Sequence, residues 1–168
     1  MPIELTPDIQ PTRVSEPELD FVMQTRVLVN PKLRVLGNVG GSGDRKMLEI
    51  LGGDFEGPKL RGKILPGGGD WPLLRPDGVG IVDARYTFET DDGVYINIIN
   101  TGYRHAPPET LAVLDAKRAV ADPNGYYLRT YTRFEAPLGK YEWLSKHVFV
   151  GIGERHPEVL FLRYFMLL

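Results

Sequence analysis

The chain has 168 residues, enough for a single domain whose core needs no covalent staples. Its 20 Lys and Arg are balanced by 22 Asp and Glu, which argues against a nucleic-acid partner, because such a binder needs a basic face to track phosphates. It has no cysteine, which excludes disulfides, thiolate metal sites and cysteine nucleophiles and fits a cytoplasmic protein.

In chain order, residues 1–18 carry four prolines, at positions 2, 7, 11 and 17, and read as an extended arm ahead of a domain over 19–168. Met1-Pro2-Ile3-Glu4-Leu5 has no basic region followed by an apolar run, and no apolar stretch is long enough to span a bilayer. A membrane is therefore not expected as a partner. With 19 glycines, 14 prolines and little helical periodicity, the chain points to a β-rich fold.

Nine strands are predicted. The first four are Leu19–Val29, Leu33–Val39, Met47–Phe55 and Leu60–Leu65, the last two joined by Glu56-Gly57-Pro58-Lys59. Next comes Leu65-Pro66-Gly67-Gly68-Gly69-Asp70-Trp71, read as a glycine loop at one mouth of a barrel. Val79–Thr90 and Val94–Tyr103 then form a hairpin around Asp91-Asp92-Gly93. Proline in a first turn followed by good helix formers predicts one helix over about Glu109–Ala121, stopped by Asp122-Pro123-Asn124-Gly125. Tyr126–Phe134, Lys146–Ile152 and Glu158–Leu167 complete the strands, with a short helical turn at Tyr141-Glu142-Trp143-Leu144. So many antiparallel strands must remove their edges, which predicts a closed antiparallel β-barrel, with a sandwich as the alternative.

The hairpin register follows from parity. A three-residue loop with Gly93 in the left-handed region sets Ile96 and Ile98 beside Ala84, Tyr86 and Phe88, whereas a two-residue loop sets them beside Asp83, Arg85, Thr87 and Glu89. The apolar match selects the three-residue loop, with Tyr86 and Asn100 inside and Asp83 and Arg85 outside. The final segment, from Phe161 to Leu168, is too apolar for an exposed edge. It is expected inside the barrel wall or between the subunits of a homodimer.

Several motifs fail on inspection. Gly57-Pro58-Lys59-Leu60-Arg61-Gly62-Lys63 matches a phosphate loop until Ile64 stands where Ser or Thr is needed, and no helix follows. Gly41-Ser42-Gly43 lacks the third glycine of a dinucleotide site. No serine sits in a nucleophile elbow. His105, His147 and His156 share no ligand spacing, so no metal is expected; His147, at a strand start, is the best placed of them to reach a cavity. An acid–base inventory remains. Asp70 beside Trp71, shielded from water, would have a raised pKa and suit a general acid or base; the structural alternative is a turn residue capping backbone. Arg129 shares a strand face with Tyr131 and Arg133, and would hold a carboxylate or enolate if buried.

In combination, Leu65-Pro66-Gly67-Gly68-Gly69-Asp70-Trp71, Asp77-Gly78, Asp83-Ala84-Arg85-Tyr86, Thr90-Asp91-Asp92-Gly93, Asn100-x-Gly102, Tyr127-Leu128-Arg129-Thr130 and Tyr141-x-Trp143-Leu144 resemble the domain of unknown function 3237 family, also called uncharacterised protein family UPF0311. The resemblance covers nearly all of the chain after residue 19. It implies a barrel of the calycin and allene-oxide-cyclase type with a central cavity and no assigned activity. The expected function is binding of a small aromatic or lipid-like molecule, with acid–base catalysis by Asp70 as an isomerase, cyclase or lyase that needs no cofactor. Trp71, Tyr86, Asn100 and Arg129 would contact the ligand, with Arg85 in reserve. A non-catalytic carrier and a filled structural barrel are the alternatives.

Overall fold

A strand of alternating polarity buries one face only if a second layer covers it. The computed structural model describes residues 16–116 and 121–168, so most of the expected N-terminal arm, and residues 117–120, lie outside the described residues. Within them are β1 (Leu19–Val29), β2 (Arg34–Asn38), β3 (Asp44–Glu56), β4 (Arg61–Ile64), β5 (Gly68–Asp70), β6 (Leu73–Leu74), β7 (Gly80–Thr90), β8 (Tyr95–His105), β9 (Tyr127–Glu135), β10 (Phe149–Arg155) and β11 (Val159–Leu167). One helix, α1 (Pro108–Ala116), connects β8 to β9. No helix among the described residues is long and apolar enough to cross a membrane.

The strands run β1-β11-β10-β9-β8-β7-β4-β3, and β1 pairs with β3, so the sheet closes into an antiparallel barrel rather than a sandwich. The long β3 makes closure possible. One of its edges carries β1 over residues 50–56 and β2 over 44–47. Its other edge carries β4, β5 and β6 in succession, and all three also pair with β7. These three short pieces together act as one interrupted wall strand, the eighth of the barrel.

This corrects the reading of the glycine stretch. Gly68–Asp70 is part of the wall and not a loop at the mouth, because β3 and β7 offer pairing edges on both sides. Gly67 (φ +102°) takes the left-handed turn into the strand, where glycine has no steric penalty. Gly68 has a different reason: a Cβ there would lie 2.5 Å from Tyr86 Cβ and 2.6 Å from the Arg85 carbonyl oxygen. Of these glycines, Gly67 therefore serves the turn and Gly68 the close packing of β5 on β7.

The β7–β8 hairpin has the three-residue loop, with Phe88 opposite Ile96, Tyr86 opposite Ile98 and Ala84 opposite Asn100. Gly93 is left-handed (φ +81°) and its N–H donates to the Thr90 carbonyl (2.8 Å). At this end of the barrel the Asp92 carboxylate accepts from the Thr90 hydroxyl (2.6 Å), the Tyr141 hydroxyl (2.8 Å) and Lys140 Nζ (2.8 Å). Those donors hold its pKa well below the carboxylate range, Lys140 first. A 3-10 turn at Glu142–Ser145, with Leu144 buried, helps cover the same end. Stacked Phe55 and Phe88 (4.5 Å between centroids) and edge-to-face Phe134 and Phe149 (4.9 Å) fill the interior.

Other expectations shift modestly. α1 starts at Pro108 and its described residues end at Ala116, short of Ala121. β10 starts at Phe149 instead of Lys146, because residues 146–148 follow the 3-10 turn and are exposed. The apolar C-terminal segment is in the wall: β11 lies between β1 and β10, with Leu162, Tyr164 and Met166 buried.

Candidate functional site

The opposite end of the barrel, where Gly80 faces Arg104 across the hairpin, is not filled. There the inward positions of the strands surround a cavity of about 150 Å³, and Leu114 of α1 contributes to its lining from above. Leu114 packs with Ala121, Tyr126 and Leu128 in a small cluster that seats the helix on the barrel end. The barrel is thus solid at its hairpin end and hollow at its helix end.

Asp70 lines this cavity from β5. Its Oδ1 accepts a hydrogen bond from the Asp83 amide (3.0 Å), one strand over on β7. The carboxyl thus fastens a neighbouring strand, and not the backbone after Gly69. Burial raises its pKa from 3.8 to about 6; the Asp83 amide and the charges of Arg155 and Arg104 work against that rise. A carboxyl of this kind is divided between acid and base near neutral pH.

Asn100, 1% exposed, lines the cavity from β8. Its Oδ1 accepts from the Thr132 hydroxyl (2.6 Å), and the Thr130 hydroxyl lies 3.5 Å from that of Thr132. Tyr86 is deeper, in the core, with its hydroxyl 3.1 Å from the buried Tyr164 hydroxyl. Burial drives the pKa of both phenols upward, so neither supplies a base near neutral pH.

Four of the residues singled out from sequence do not line the cavity: Tyr86, which is packed in the core, and Trp71, Arg85 and Arg129. Trp71 is 38% exposed, and its amide and carbonyl are held by the Asp83 carbonyl and by Arg45 on the outer face. Arg85 is exposed on the outer face of β7, as parity requires. Arg129 also lies outside: Leu128 and Thr130 beside it are buried, so its side chain falls on the outer surface, where it lies over Tyr127. His147 does not reach the cavity either. It is exposed, and its ring bonds the Trp143 carbonyl (2.8 Å). His105 stacks on Tyr127 and His156 bonds Glu154, so the three histidines stay apart.

Apart from Asp70, the charged groups that reach the cavity were not found from sequence. They are Lys46, Arg104, Asp115 and Arg155. Arg104 Nη2 donates to Asp115 Oδ1 of α1 (3.2 Å), which ties the helix to the barrel rim. Arg155 is partly buried, and burial together with the like charge of Arg104 lowers its pKa. A signal was available. Arg104 continues the inward parity of Ile96, Ile98 and Asn100, and Arg155 continues that of Phe149, Gly151 and Gly153. A charge in step with a buried face points to the interior. Arg129 is out of step on its own strand.

The model of a family described as protein of unknown function (DUF3237) matches residues 17–167. A UPF0311 protein of Clostridium acetobutylicum is 35% identical over 154 residues, 92% of this chain and 96% of that one. Among solved structures, a β-barrel-like protein from Acinetobacter baumannii AYE superposes with a TM-score of 0.81 at 35% identity, covering 94% of this chain and 100% of the other. An enzyme from Penicillium herquei shares the fold at a TM-score of 0.69 and 19% identity, covering 95% of this chain and 100% of its own.

Proposed function

This chain belongs to the DUF3237 family of proteins of unknown function, and we propose that it binds a small organic molecule in the helix-end cavity and moves a proton on it with Asp70. The observation that carries this reading is a carboxyl with a pKa of about 6 on the wall of a hollow that Arg155 also lines. Buried carboxyls tuned toward neutrality, beside a cation and inside a concave site, are the usual makings of proton-transfer chemistry.

The volume narrows the ligand. A cavity of about 150 Å³ suits one six-membered ring, the size of compound that an apolar hollow of that volume can take. Of the two ligand types expected from sequence, the volume favours the aromatic one. Leu48, Leu128 and Leu162 supply apolar contact for the ring.

The reaction class is isomerisation or cyclisation through an enol. Asp70 as carboxylate removes a proton from carbon next to a carbonyl. The C–H electron pair becomes the C=C bond, and negative charge gathers on the carbonyl oxygen, where the Asn100 amide favours it. Asp70 then returns the proton to another carbon, so substrate and product have the same atoms and the enzyme ends as it began.

The test uses purified protein in D2O with a panel of single-ring ketones and phenols, followed by NMR. The expected result is deuterium incorporation at an acidic carbon by the wild type and none by Asp70→Asn, which still binds. Binding without exchange in the wild type would support a carrier instead, and no binding at all would support a structural barrel.

A further inference from the structure

Resting on that binding reading, the polar groups of the cavity specify more than size. Of its charged side chains, Arg104 and Asp115 pair with each other, and Asp70 is held by a backbone amide. Arg155 is different: among the described residues its guanidinium makes no ion pair and no hydrogen bond to a side chain or carbonyl. Lys46 Nζ likewise has no ion-pair partner among them. Asp70 and Asp115 favour the charge of Arg155 without forming an ion pair with it, and a partly buried guanidinium left without a close anion is a place where a ligand anion gains most.

A second observation, independent of the cations, agrees. The Asn100 side chain is almost wholly buried, and its oxygen is already occupied by the Thr132 hydroxyl. Its NH2 group has no partner among the described residues, although the residue lines the cavity. Three donor groups with no hydrogen bond or ion pair among the described residues therefore belong to residues lining one small hollow, while each of its two carboxyls already has one oxygen engaged. A ligand suited to these donors brings oxygen acceptors and negative charge.

We infer that the ligand is a single-ring organic acid whose carboxylate is bound by the Arg155 guanidinium, with Lys46 as a further donor, the Asn100 amide left for the reacting carbonyl, and the ring against the leucines. A planar guanidinium meets a carboxylate through two parallel N–H···O bonds, which would fix the ring's orientation relative to Asp70.

The experiment compares benzoate with benzamide, its neutral isostere, by calorimetry on the full-length wild type, Arg155→Gln and Arg155→Lys. Benzoate is expected to bind the wild type at least tenfold more tightly than benzamide. Arg155→Gln should lose at least tenfold in benzoate affinity with benzamide little changed, and Arg155→Lys should recover part of the loss. If benzoate and benzamide bind the wild type equally, the acid inference is overturned while the small-molecule reading stands, whether or not the Arg155 variants fold. If neither binds, both are overturned. Unchanged benzoate affinity in a folded Arg155→Gln would also overturn the assignment of Arg155.

Discussion

Replacing Asp70 by Asn should make the protein more stable at neutral and alkaline pH. Folding raises this carboxyl from 3.8 to about 6, so between those values the native state binds more protons than the unfolded state. Stability is therefore lost as pH rises through that window, and the loss is complete above it. At ~1.4 kcal/mol for each tenfold change in proton affinity, the ionised carboxylate costs the fold about 3 kcal/mol by pH 8. Asn keeps the oxygen that accepts from the Asp83 amide (3.0 Å) and carries no charge to desolvate. Urea denaturation of the wild type and Asp70→Asn from pH 4 to pH 8 isolates this one group, because every other titration is common to both proteins. The variant should gain on the wild type as pH rises from 4 through about 6, the gap should level off toward pH 8, and it should close toward pH 4. A constant gap, or a wild type that gains on the variant with rising pH, would refute the claim that burial dominates Asp70. A residue that destabilises its fold at working pH is a mark of a functional position.

Two further outcomes concern the framework around that carboxyl. Gly68→Ala places a Cβ 2.5 Å from Tyr86 Cβ and against the Arg85 carbonyl; it should destabilise by ~1–3 kcal/mol in urea as β5 is pushed off β7. Tyr86→Phe deletes one hydroxyl of the buried Tyr86–Tyr164 pair (3.1 Å) and should cost about 1–3 kcal/mol by the same measurement, since the remaining buried hydroxyl loses a partner.

Local pattern was enough for the long strands and for the β7–β8 register. Alternation in β7 and β8 is a property of the residues themselves, and Asp91-Asp92-Gly93 limits the ways the two can meet, so Tyr86 and Asn100 could be assigned inward without coordinates. Closure was legible in outline, because so many strands cannot leave their edges bare. Other features depended on partners far along the chain. Gly68–Asp70 buries too little to be a strand alone, and becomes one because β3 and β7 flank it. The same flanking turns Asp70 inward while Trp71 stays on the outer face. Which end of the barrel is hollow depends on where aromatic side chains crowd the interior and where α1 settles, and neither is written in any one strand. The meeting of Asp70 with Arg155 is decided in the same way. The two residues lie on β5 and β10, strands that are not neighbours in the sheet, and only the closed barrel turns both toward one cavity and strips enough water from the carboxyl to raise its pKa.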